Sequence, residues 1–366
     1  MKRFSLLFWA LCISLPLCSQ ERGSFVIPDL KGYMTLKCDF HTHTTFSDGK
    51  VSPTVRIEEA YREGLDVIAI TDHINSRSRD REEFISHNRP YEIAKPVAES
   101  MGIILIQGSE LSPMMPPGHH NAIFLTNSDA LDRRDYMEAF RAAKAQNAFI
   151  FWNHPGDPSR QPDTTLWWPE HTRLLEQGMM HGIEIANNTT FFPEAFQWCL
   201  EKKLTVIGNT DAHGARGSGS SRRTMTLLFA RSATPESLRE ALDERRTAVY
   251  YHDFIIGEEK YLKELFENAL EWKIERSGKI VDGGEEVRIT VRNNSDLTFR
   301  LKKSAHDRRV VYFRNISIEP YTIAPRKEQT FTVRLLEGVQ SGEVNFIVEN
   351  FLVQPDAGMN YTLTVR

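Results

Sequence analysis

The stretch that decides the fold reads Thr35-Leu36-Lys37-Cys38-Asp39-Phe40-His41-Thr42-His43-Thr44, with Ser47-Asp48-Gly49 just beyond it. It begins as a short strand and ends in two imidazoles spaced by one residue. Strand side chains alternate between faces, so His41 and His43 point to the same side. Similar endings recur downstream: Thr71-Asp72-His73, Gly108-Ser109-Glu110, Trp152-Asn153-His154 and Asn209-Thr210-Asp211-Ala212-His213 each close a strand-like run. His119-His120 is the exception, because it stands just before its run.

Working outward, the runs Val67–Ile70, Ile103–Ile106, Ala122–Leu125, Phe149–Trp152, Ile183–Ala186, Thr205–Ile207 and Met225–Phe229 follow the first. Amphipathic stretches such as Pro53–Glu63, Asp135–Gln146 and Pro193–Lys202 separate several of them. Strand-then-helix repetition predicts an α/β fold with a mainly parallel sheet, and continuous apolar runs predict strands buried on both faces. The number of units suits a closed β/α barrel, in which the carboxyl ends of the strands share one rim. Residues far apart in the chain would then converge. A solitary histidine at a strand end is ordinarily structural; so many on one rim argue for a shared ligand.

After the helical stretch Pro235–Arg246 the texture changes. Glu258–Leu270 reads as a connecting helix, and from Trp272 onward the pattern alternates, as in Val287–Val291, Phe331–Leu335, Val344–Val348 and Tyr361–Val365. Turn residues punctuate these runs, which predicts an immunoglobulin-like β-sandwich. The expected organisation is residues 1–19 as a signal peptide, 34–255 as the barrel, 256–271 as the connection and 272–366 as the sandwich.

The leader is read from Lys2 and Arg3, the apolar Phe4–Leu17 and the small exit at Cys18-Ser19, with cleavage after Ser19. Export to the periplasm or outside the cell is the expectation; lipid anchoring on Cys18 is the lesser reading, because Leu17 is bulky. The mature chain keeps 43 basic against 49 acidic side chains, a net charge of −6. That balance disfavours a nucleic-acid polymer as partner, and no membrane-spanning run follows the leader. Cys38 and Cys199 remain, and two buried free thiols are expected.

The ordered set of motifs, from Asp39-Phe40-His41-Thr42-His43-Thr44 with Ser47-Asp48-Gly49 through Ile70-Thr71-Asp72-His73, Gly108-Ser109-Glu110, His120 and Asn153-His154-Pro155 to Asn209-Thr210-Asp211-Ala212-His213, resembles the PHP (polymerase and histidinol phosphatase) superfamily. The resemblance spans about residues 34–250. It implies a distorted (β/α)7 barrel holding up to three divalent transition-metal ions, for which Zn, Mn and Fe all suit the ligand types. Carried over residue by residue, His41, His43, Glu110 and Asp211 would hold one ion. Glu110 would bridge to a second, bound also by His120 and His154, and Asp48, His73 and His213 would hold the third. Asp48 stands where many relatives carry His. His120 is preferred to His119 because it directly precedes Asn121–Leu125.

The implied chemistry is hydrolysis of a small organic phosphomonoester or phosphodiester by a metal-bridging hydroxide, positioned by Asp211 and Glu110. His171 is a candidate proton donor to the leaving group. Arg77 and Arg216 are candidates to bind the phosphate, with Arg79 a weaker one. Trp167 and Trp168 read as an apolar lid or as packing outside the barrel. Asp39, Asp72 and Glu184 are candidates to orient ligands. Two alternatives stay open: a metal-dependent amide or carboxyl-ester hydrolase, and a binding protein that uses its sandwich. Against the first, no lysine stands at a strand end to bridge metals as in amidohydrolases.

Overall fold

A computed structural model describes residues 21–74, 86–161, 164–217, 222–304, 307–312 and 321–366. The leader, Arg77, Arg79 and His306 lie outside the described residues. The barrel half contains β1 (Met34–Asp39), α1 (Pro53–Arg62), β2 (Val67–Ile70), α2 (Arg89–Met101), β3 (Ile104–Leu111), β4 (His120–Ile123), α3 (Tyr136–Ala145), β5 (Phe149–Trp152), α4 (Pro169–Glu176), β6 (Gly182–Asn187), β7 (Thr190–Phe191), α5 (Pro193–Lys202), β8 (Thr205–Asn209), β9 (Met225–Ala230), α6 (Pro235–Asp243), β10 (Thr247–Tyr251) and β11 (Phe254–Gly257). After α7 (Glu259–Ala269) come β12 (Leu270–Val281), β13 (Gly284–Asn293), β14 (Phe299–Lys303), β15 (Val310–Tyr312), β16 (Tyr321–Ile323), β17 (Glu328–Leu336), β18 (Gly342–Gln354) and β19 (Ala357–Val365).

Some of the helices start at side-chain caps read directly from the sequence. Ser52 accepts the Val55 N–H, with Pro53 at the first position of α1, and Asp135 accepts the Met137 N–H at α3. The fold is a mixed α/β barrel followed by an all-β sandwich. The sheet is less parallel than the alternation predicts. β1–β2–β3 and β5–β6–β8 pair in parallel, but β4 runs antiparallel to both β3 and β5. β9 and β10 extend the β1 edge antiparallel. The reversal of β4 is what distorts the barrel. It also brings the beginning of β4 to the rim where its parallel neighbours end.

Inward side chains Phe40, Ile106, Ile123, Phe149, Phe151, Ile207 and Leu228 fill the barrel, and Leu238, Ala241 and Leu242 of α6 join the same buried cluster. The sandwich packs β12–β13–β17–β15 against β14, β16, β18 and β19. Its core is not separate from the barrel's. One continuous cluster takes Ile57, Ile68, Tyr250 and Ile255 from the barrel half, Leu262, Leu265 and Phe266 from α7, and Phe299, Phe331, Val348 and Phe351 from the sandwich. β11 pairs in parallel with β18, Ile255 opposite Phe351, so the hydrogen-bonded sheet itself crosses the junction. Cys38 and Cys199 are buried and free. Among the described residues, no helix is long and apolar enough to cross a membrane.

Candidate metal centre

His41 and His43 leave the end of β1 with side chains fully buried and Nε2 atoms 3.1 Å apart. Asp211 Oδ1 stands 3.1 Å from the first and 3.0 Å from the second. Glu110, from β3, places Oε2 3.6 and 3.4 Å from the same two nitrogens. Glu110 Oε2 and Asp211 Oδ1 are buried atoms that accept no well-aligned hydrogen bond, although imidazole nitrogens crowd both of them. An ionised carboxylate oxygen stranded in this way is costly unless a cation meets it. Donor atoms about 2.0–2.2 Å from one cation lie roughly 3.0–3.5 Å from each other, so the spacing suits one. Around this pair, His119 Nδ1 is 2.8 Å and His154 Nε2 3.6 Å from Glu110 Oε1.

A second, more open group lies beside it. His73 Nδ1 is 2.7 Å from Glu110 Oε2, and its Nε2 is 3.6 Å from Asp48 Oδ2. His213 Nε2 is 3.2 Å from Asp48 Oδ1, and its ring stacks on His43 with centroids 4.2 Å apart. The Asp48 side chain is 50% exposed and His213 35%, against 0% for Glu110. Gly49 makes the Asp48 turn possible: a Cβ there would lie 2.6 Å from the His43 carbonyl carbon.

Charges in the cluster hold one another. Burial alone would raise the Glu110 carboxyl, but the imidazoles of His41 and His73 keep it well below the usual range. Burial opposes protonation of His73, yet Glu110 and Asp48 push it up to about 10. Burial pulls His41 down; Asp211, Glu184 and Glu110 more than reverse it. Protons thus occupy places where cations would displace them.

Buried polar residues aim these groups. Glu184 Oε1 accepts from His41 Nδ1 at 2.8 Å, which turns the Nε2 lone pair of His41 toward the cluster. Glu184 also accepts from Asn209, Asn187 and the His154 N–H. Asn153 donates to Glu110 Oε1 and to Asn121. Asp72 accepts from the Thr44 N–H, Thr44 Oγ1 and Ser47 Oγ, and so shapes the loop leading to Asp48. Asp39 pairs with the buried Arg223 at 2.7 Å and accepts from Thr210 Oγ1. His154 and Asp211 hold φ values of 30° and 51°, a strained region for non-glycine residues that concentrates at functional sites.

Eight of the nine residues expected as ligands therefore meet at one mouth; His120 does not, and His119 takes its place. Because β4 is antiparallel, the residue just before its first strand position reaches the rim. Alternation then puts His119, Asn121 and Ile123 inside, and His120 and Ala122 outside. His120 is fully buried between Phe140 and Trp152, with Nδ1 on Gly118 O and Nε2 unpartnered. Burial, with His171 nearby, holds it well below the usual imidazole value. Residue alternation from Ile123 was the available signal, and it points to His119.

His171 is corrected as well. It is buried, stacked on Trp152 at 3.7 Å, and both ring nitrogens are used, by Pro117 O and by the Trp168 N–H. Burial lowers it to about 4, so near neutrality it is the uncharged imidazole, whose one N–H is committed to Pro117 O. Arg216 is bound to Glu63 at 2.8 Å rather than turned to the mouth. Trp167 packs on Trp152 and Trp198 under Lys202, as barrel packing rather than a lid. Arg160 was not anticipated. It follows His154 in the same loop, pairs with Asp157 at 3.2 Å, and its charge is felt by His119.

Comparison with known proteins agrees with this geometry. A PHP domain family matches residues 39–154, and an Ig-like domain family matches residues 273–364. A solved two-domain protein from Bacteroides vulgatus, described as containing a predicted PHP-like metal-dependent phosphoesterase, is 47% identical with a TM-score of 0.87, covering 95% of this chain and 100% of its own. The chain belongs to this PHP family of metal-dependent phosphoesterases. Within the family it is of the two-domain kind that carries a C-terminal Ig-like sandwich. A 5'-3' exoribonuclease of Haemophilus influenzae is 38% identical over 79 residues, 22% of this chain, and the chain spans about a quarter (24%) of that protein's length. A putative metal-dependent phosphoesterase structure from Bifidobacterium adolescentis is 17% identical, covering 56% of this chain and 95% of its own, with a TM-score of 0.42.

Proposed function

We propose that this chain hydrolyses small organic phosphate esters, mono- or diesters, at the mouth lined by His41, His43, Asp48, His73, Glu110, His119, His154, Asp211 and His213. The observation that carries the reading is the pair of stranded buried oxygens, Glu110 Oε2 and Asp211 Oδ1, set among imidazole nitrogens. Up to three divalent ions would be held: His41, His43, Glu110 and Asp211 for one, Glu110 with His154 for a second, and Asp48, His73 and His213 for the most exposed, with His119 gathered beside Glu110 and His73. Mixed imidazole and carboxylate ligands suit Zn, Mn or Fe. Bound there, such ions acidify water and neutralise phosphate oxygens.

The chain's own residues supply the rest. Glu184 fixes the His41 ring, Asn153 holds Glu110, and the Asp211 and Glu110 carboxylates provide acceptors for protons leaving the attacking water. Arg160, in the loop after His154 and close enough for its charge to act on His119, would meet a phosphate oxygen by loosening its contact with Asp157. The acidic balance of the chain favours a small ester over a polymer such as the RNA of the exoribonuclease relative. The apolar stretch after Lys2 and Arg3 supports an exported enzyme.

The test is a panel of aryl phosphate, aryl phosphodiester, dinucleotide and aryl acetate, assayed with metal-loaded protein, chelated protein and Asp211→Ala. Phosphoester turnover that disappears on chelation and in the variant is expected. Turnover of the acetate alone, or an undiminished variant, overturns the proposal.

A further inference from the structure

Arg56 lies in the second turn of α1 and has no exposed side-chain surface. Its guanidinium donates to His43 O from Nε at 3.1 Å and from Nη2 at 2.9 Å. Nη2 also reaches Ala212 O at 2.9 Å and His213 O at 3.2 Å, and Nη1 reaches Gly214 O at 3.0 Å. One side chain thus joins the backbones of two segments, one ending β1 and the other following β8, roughly 170 residues apart. Both carry candidate ligands. Glu59 neutralises the buried charge at 2.6 Å and with its other oxygen holds the Arg216 N–H, extending the clamp along the second segment.

A buried guanidinium costs several kcal/mol to desolvate, and an aliphatic residue would fill α1 equally well. Its five donors in a planar fork do what an aliphatic side chain cannot: they fix several carbonyls at once. The carbonyls chosen are those of His43 and His213, the two stacked rings of the open group, plus their neighbours. The geometry points to Arg56 as a positioning residue that sets the His43–His213 spacing, and so determines whether the open group of Asp48, His73 and His213, whose His213 ring stacks on His43, retains a cation. This rests on the metal reading above but assigns the control of one position to a residue that touches no ligand side chain. Because Asp48 and His213 are the exposed members, that position binds most weakly and responds first to misplacement.

The experiment compares full-length protein, stripped of metal and then equilibrated with Mn²⁺ across a dialysis membrane, as the parent, Arg56→Lys, Arg56→Gln and Arg246→Gln. Arg246 is the matched control: a buried arginine holding Glu240 and Phe229 O, the latter paired with Thr35 at the opposite end of β1 from its histidines. Elemental analysis and melting temperature are read on every sample. Both Arg56 variants are expected to bind the weakest equivalent at least tenfold less tightly while keeping the tighter ones. Arg246→Gln is expected to melt lower with the parental isotherm. If Arg56→Gln does not fold, Arg56→Lys decides, since it keeps the charge but cannot span both segments. Arg56 variants with the parental isotherm, or weakened equally at every position, overturn the assignment. A parent that binds no Mn²⁺ overturns the metal reading itself.

Discussion

Glu184 offers the most direct way to ask whether ligand orientation matters here. It accepts four hydrogen bonds, two on each oxygen, all at 2.8 Å: His41 Nδ1 and Asn209 Nδ2 on one, the His154 N–H and Asn187 Nδ2 on the other. Glu184→Gln keeps the shape but replaces one acceptor by a donor. If the remaining oxygen stays with His41, the new amide faces the His154 N–H and Asn187, and a buried donor goes unmet. That costs about 1–3 kcal/mol of folding stability. The imidazole of His41 also loses a charged partner, a change that typically lowers metal affinity about 10–100-fold. Midpoints for chelator competition, measured well below the melting temperature of both proteins, should shift by that factor. A variant that melts lower yet competes with chelator as the parent does would refute the orienting role.

Three further outcomes are expected. His119→Ala should weaken metal binding at least tenfold, whereas His120→Phe, in an aromatic pocket, should leave it unchanged; the reverse pattern, read by elemental analysis, would return His120 to the site. Phe351→Ala, fully buried against Phe266 and Phe299, should cost about 3–5 kcal/mol. The parent should also melt in one calorimetric transition, and two separable transitions would contradict the continuous core. His171 is about 4 when folded against roughly 6.5 when unfolded, so the unfolded chain binds the extra proton between those values. The His171 contribution should be constant above pH 6.5 and should lower stability by up to about 3 kcal/mol as pH drops to 4, so the difference in stability between the parent and His171→Gln, read from denaturation curves, should carry that slope across the range.

How much of this was legible varies by residue. The strand-end positions of His41, His43, His73, Glu110, His154, Asp211 and His213 follow from apolar runs that stop where chemistry begins, and a parallel strand's end is a rim position by topology. β4 broke that logic. An antiparallel strand is as apolar as a parallel one, so its direction left no mark in the pattern, and the histidine nearest the run was chosen over the one on the inner face. His171 and Arg216 lie near the mouth in sequence, but partners such as Pro117 O and Glu63 are long-range and leave no local trace. Arg160 was hidden because its loop follows His154 without periodicity. In the sandwich, the alternation of β13, β17 and β19 was plain. β18 continues to Gln354, well beyond its alternating part, because its second half serves the barrel edge.

The continuity at β11 and β18 bears on how such a chain can be rearranged. A module attached by a linker can be moved between genes or cut away with little harm to its neighbour. Here the seam at Ile255 and Phe351 is a strand pairing, and α7 lends Leu262, Leu265 and Phe266 to both sides. Grafting this sandwich elsewhere would mean carrying the hairpin β10–β11 and α7 with it; leaving it behind would strip the outer edge of β11 and the apolar face of α7, two strands along the sheet from β9, which braces β1 and its two histidines.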